Sequence, residues 1–105
     1  MNTYKSPLEL LAQDPVELSL VSVKSKLMII VTKLIREQNW TQAQAAKNIG
    51  VSQPRISNLM KGKISKFSID SLLEMLGKLG YLLDISFNPH DENNPIQMVI
   101  KKAAV

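Results

Sequence analysis

Between Gln38 and Ile69 the chain carries Lys47, Arg55, Lys61, Lys63 and Lys66 and no acid. Seven of the nine acids lie well away from this stretch, at Glu9, Asp14, Glu17, Glu74, Asp84, Asp91 and Glu92. Near its centre stand Gln53, Arg55, Ser57, Asn58 and Lys61, at spacings that turn them outward from one short helix. Amide, guanidinium, hydroxyl and ammonium groups donate hydrogen bonds to phosphate oxygens and base edges; a guanidinium group can donate two to one base, and an amide can pair one donated with one accepted bond. An acid-free surface of this composition suits a polyanion. A basic face that is only solvated is the plainer alternative.

Other chemistry finds few carriers. The chain has no cysteine, which excludes a disulfide scaffold, a thiol nucleophile and a Cys-ligated zinc site. His90 is the sole histidine, so one chain offers no imidazole cluster for metal binding or acid–base work. Paired carboxylates facing a cleft and a nucleophile–base pair are missing, and Gly62-Lys63 lacks the rest of a phosphate loop. A non-enzyme without metal or cofactor is expected.

The bulk numbers fit one small domain of 105 residues, 45% hydrophobic and 21% charged, with a net charge of +4. Its core must be modest, so dimerisation would add stability. The opening residues lack the pattern of a secretory leader, and the apolar run Leu27–Val31 is too short to span a bilayer. A soluble, cytoplasmic protein is expected.

The elements that must hold these side chains follow from local signals. Ser6-Pro7-Leu8-Glu9 reads as a capping box opening a short helix within a flexible arm, residues 1–13. A second start signal, Asp14-Pro15-Val16-Glu17, opens a long helix to about Gln38. Its apolar stripe runs through Val16, Leu20, Val23, Leu27, Val31 and Leu34, widened by Val21, Met28, Ile30 and Ile35. Its first turns are open to being loose, with the stable part starting near Ser22. Thr41 caps a helix that Gly50 ends. Ser52 caps the next, with Pro54 in its first turn and Gly62 at its end. A further helix starts at Ser68, stapled by Phe67 and Leu72, and closes at Gly80, with Leu72, Leu73, Leu76 and Leu79 on its core face. Leu83, Ile85 and Phe87 alternate with Asp84 and Ser86, which is strand periodicity. Beyond the loop His90–Pro95, Ile96–Ile100 either forms a second strand or frays. Trp40 reads as a plug between the first two long elements, and Met28, Met60, Met75 and Met98 as filler.

The stretch Trp40–Gly62 resembles the Cro/CI-type helix-turn-helix, or XRE family. Thr41-Gln42, Ala46, Gly50-Val51-Ser52, Ile56-Ser57 and Lys61-Gly62 all stand where that family has them. Ala46 supplies the small residue that a steep helix crossing needs, Gly50 the positive φ of the turn, and Val51, Ile56 and Leu59 the core contacts. The resemblance implies that Gln53, Arg55 and Asn58 read bases: Gln53 adenine, Arg55 guanine or a neighbouring phosphate. It implies phosphate contacts from Gln42, Ser52, Ser57, Lys61, Lys63 and Lys66. Pro54 departs from the polar residue common there and is left an apolar contact, such as a thymine methyl.

Residues 14–87 as a whole are similar to HigA-type antitoxins. That resemblance implies a homodimeric repressor of its own palindromic operator that also neutralises a RelE/HigB-like ribonuclease toxin. The expected fold is mainly α, a four- to five-helix bundle with the helix-turn-helix and a short C-terminal β-strand. It comprises an arm (1–13), a DNA-binding domain with a dimerising strand (14–87) and a C-terminal tail (88–105). The strand has no strong partner in the chain, so pairing with its copy through Leu82, Leu83, Ile85 and Phe87 is expected to form the dimer interface. The N-terminal segment with Tyr4, Leu8, Leu10 and Leu11 is the part expected to meet a toxin. Two other readings stay open: a stand-alone repressor of this type, and a helical protein-interaction module that does not bind DNA.

Overall fold

The computed structural model describes residues 14–103. Helix α1 spans Pro15–Glu37, α2 Gln42–Ile49, α3 Gln53–Met60 and α4 Ile69–Lys78, with a 3-10 turn at Ile64–Lys66. Strands β1 (Tyr81–Phe87) and β2 (Ile96–Lys102) complete a mainly helical chain. The short helix expected at Ser6–Glu9 lies outside the described residues, as does its contact with a toxin.

The helices begin where side chains satisfy their free N–H groups. The Asp14 carboxylate accepts from the amides of Val16 and Glu17, both at 3.1 Å, with Pro15 in the first turn. Thr41 and Gln44 exchange reciprocal bonds of 3.1 and 2.8 Å at the start of α2. At α4 the partner of Ser68 is Ser71, whose hydroxyl takes the place a glutamate usually fills. Gly50, at φ +79°, ends α2, and its amide and that of Val51 both donate to the carbonyl of Ala46. Asn39 holds φ +58° in the turn after α1, a conformation that asparagine tolerates better than most residues.

The core lies where the second half of α1 meets α2, α3 and α4. Val31, Ile56, Leu59, Leu72 and Met75 are its largest fully buried members. Phe67 and Leu76 are buried with them, and Trp40, Val51, Leu73 and Leu79 pack partly buried against the cluster. Met28 and Met75 are core residues, whereas Met98 is exposed.

The long stripe of α1 is only half used. Leu27 and Val31 are buried, but Val16, Leu20 and Val23 are 68%, 53% and 43% exposed. The reason is length. Twenty-three residues make a helix of about 35 Å, while the eight-residue helices beside it reach only about 12 Å each. The first turns are helical, not loose, yet nothing among the described residues covers them. Val21 and Ile30, expected to widen the buried stripe, are also exposed.

The C-terminal region corrects one expectation. Strand β1 does have a partner in the chain: it pairs antiparallel with β2 along its whole length, from Tyr81↔Lys102 to Phe87↔Ile96. Residues 88–95 form the connecting loop, and β2 follows it. The loop is fastened by its own short polar side chains. Asn88 Oδ1 accepts from the His90 amide, and Asp91 Oδ1 accepts from the amides of Asn93 and Asn94. The Ala103 amide closes the base on the Gly80 carbonyl at 2.8 Å. The radius of gyration is 16.9 Å, against about 12 Å for a compact domain of this size, because the hairpin and the free half of α1 project.

Candidate nucleic-acid interface

Helices α2 and α3 pack on each other across the turn Gly50–Ser52. Ala45 and Ala46 are both buried at this crossing, and Ala45, which the motif reading passed over, is the more completely enclosed. Small side chains let the two backbones approach. Ile56 and Leu59 of α3 are fully buried, which fixes the rotation of that helix. Pro54 and Lys61 are then turned to the opposite side by helical geometry, with Ser57 and Asn58 at its flanks, while Gln53 projects from the first residue of the helix. Gln53, Pro54 and Lys61 are exposed; Ser57 and Asn58 are half-buried at the flanks.

Ser52 caps α3 by accepting from the Arg55 amide at 3.3 Å. That bond uses an oxygen lone pair and leaves the hydroxyl hydrogen available for a phosphate. Gln42 is exposed in the first turn of α2, where the amide end of the helix favours an anion. The two helix starts thus present polar donors beside the outward face of α3.

Arg55 behaves differently from its neighbours. Its guanidinium lies over the Phe67 ring, 4.5 Å from the centroid, and Nη1 donates to the Lys66 carbonyl at 3.2 Å. The side chain is half-buried and ties the first turn of α3 to the loop before α4. Phe67 is itself buried in the core, so this anchor is rigid. Lys61, Lys63 and Lys66 sit on or beside the loop that Arg55 holds, and all three are exposed. None is taken up by an acid: the one ion pair among the described residues is Lys101–Asp84, in the hairpin. The sequence signal for the anchor was present, an aromatic residue and a basic residue twelve positions apart, but no local periodicity links them.

The arrangement presents the amides of α3 with ammonium groups beside them, on a stretch without an acid from Gln38 to Ile69. Behind it, a cleft of about 480 Å³ runs between the Gly50–Val51 turn and α4, bordered by Arg55, Glu74 and Lys78. No group of three or more metal-ligating side chains occurs among the described residues. No described helix is long and apolar enough to cross a membrane. The four sequence-assigned interface residues Leu82, Leu83, Ile85 and Phe87 are exposed on β1, and the strand's alternation places Leu82 on the face opposite the other three.

No curated protein was found to match the chain. The model of a helix-turn-helix domain family matches residues 12–88, which takes in all four helices and β1. With the crossing of α2 and α3, the buried alanines and the outward polar face in place, the chain belongs to that family of helix-turn-helix domains and is a DNA-binding regulator.

Proposed function

We propose that the protein is a sequence-specific repressor that binds a palindromic operator as a homodimer, with α3 in the major groove of each half-site. The observation that carries this reading is the outward face of α3, where the Gln53 and Asn58 side chains have no hydrogen-bond partner among the described residues and the helix itself carries no acid. Gln53 and Asn58 read bases through paired amide contacts, adenine being the natural match. Pro54 rests on a thymine methyl. Gln42, Ser52, Ser57, Lys61, Lys63 and Lys66 hold phosphates and set the register. Arg55 keeps the basic loop in place through Phe67, and its remaining N–H donors reach guanine or a phosphate at the same step.

The test is selection of operator duplexes from the DNA upstream of the gene, followed by base-by-base substitution. Gln53→Ala is expected to lose about 1–3 kcal/mol of discrimination at one base pair per half-site and to leave the other positions unchanged. Retained discrimination at every position contradicts the assignment.

A narrower reading is that the repressor is the antitoxin of a RelE/HigB-like toxin. The residue pattern over 14–87, which resembles HigA-type antitoxins, supports it. Its test is co-purification with the product of the adjacent gene.

A further inference from the structure

Strand pairing fixes which hairpin side chains share a face. The opposed pairs Leu83–Ile100, Ile85–Met98 and Phe87–Ile96 put six large apolar groups on one side. All six are between 38% and 69% exposed. The reverse side is mixed: Leu82 and Val99 stand there with Ser86, Gln97 and the Asp84–Lys101 ion pair at 2.9 Å.

The apolar face continues past the base of the hairpin. Tyr81 and Ile100 border a gap of about 180 Å³ whose other walls are Ile30 and Leu34 of α1 and Leu76 of α4. From Ile30 the stripe climbs α1 through Val23, Leu20 and Val16, at spacings of seven, three and four, all exposed. Hairpin and helix therefore form the two arms of one apolar notch. The ten exposed side chains present about 1,000 Å² of surface, beyond the ~300–600 Å² of the largest patch on a typical monomer and enough for the ~800 Å² that each partner gives to a stable interface.

We propose that this notch is the contact surface for a second copy of the chain, each copy laying the free half of its α1 against the hairpin face of the other. The notch carries a helix ridge on one arm and a flat sheet face on the other. A two-fold axis sets ridge on sheet twice, so the surface is complementary to itself. The six residues carry no charge, and Lys102, opposite Tyr81 at the base, is the single charged side chain on that side of the hairpin, so charge does little to select an unlike partner. The expected contact along the free edge of β1 gives way to one through its face, and β2 contributes half of it. This deepens the dimer of the proposed repressor and rests on that reading only for the use of the dimer on DNA.

The absence of native cysteine makes the test clean. One tagged copy carries Val23→Cys and a second, differently tagged copy carries Ile85→Cys; the two are mixed and treated with a short bis-maleimide. The expected product joins the two tags. Wild type is expected to sediment as a dimer, and Ile85→Glu and Met98→Glu each at half that mass with unchanged helical circular dichroism. A monomeric wild type, glutamate variants that remain dimeric, or no product joining the tags overturns the proposal. Gln53→Ala keeps the dimer mass whatever its effect on DNA, so failure of the repressor reading and failure of this interface are told apart.

Discussion

Arg55 has a structural engagement apart from any contact with DNA. Its guanidinium stacks on Phe67 and bonds the Lys66 carbonyl, so it positions the lysine loop whether or not it also touches DNA. An exposed cation–π contact contributes about 0.5–1 kcal/mol and a single hydrogen bond a similar amount. Arg55→Ala is therefore expected to lower unfolding stability by roughly 1–2 kcal/mol in urea titration. It should weaken binding to operator and to unrelated duplex by similar factors, because the displaced lysines serve both. A change confined to operator binding assigns Arg55 to base reading alone. The types of the surface residues were legible in the sequence because the outward face of α3 follows from Ile56 and Leu59 by helical spacing. The engagement of Arg55 was not, since it depends on Phe67 returning to α3 through a loop.

At the scale of elements, legibility follows locality. Every helix start was marked by its cap, Asp14, Thr41, Ser52 or Ser68, because a cap is a contact between residues two or three apart. The hairpin was only half legible. Leu83, Ile85 and Phe87 announce a strand, but pairing with Ile96–Lys102 depends on a polar loop reversing the chain, and a short apolar run carries no such information. The α1 stripe shows the complementary limit: periodicity marks an apolar face, not what covers it. Gly50 joins α2 to α3 at φ +79°, and a Cβ there meets nothing within 4 Å. Gly50→Ala is thus expected to cost only the left-handed backbone term, about 1–2 kcal/mol, and Gly50→Asn less. Thermal unfolding of the two variants measures the difference; equal losses point to steric crowding in place of backbone strain.

Over the whole molecule the two kinds of surface are separated. The acid-free face of α2 and α3 is polar and basic, whereas the notch between α1 and the hairpin is apolar. A protein of net charge +4 owes its pull on DNA to where the charges sit more than to their sum. The separation leaves the proposed DNA face and the proposed self-contact on different surfaces. It also sets the salt response, since each phosphate neutralised by lysine releases counterions. The most direct measurement is therefore the equilibrium affinity of the wild type for its operator and for a scrambled duplex across a potassium chloride titration. The account predicts tighter binding to the operator at every salt concentration and a log–log slope of roughly −5, from three lysines in each of two subunits. Equal affinity for the two duplexes, or a flat salt response, contradicts it.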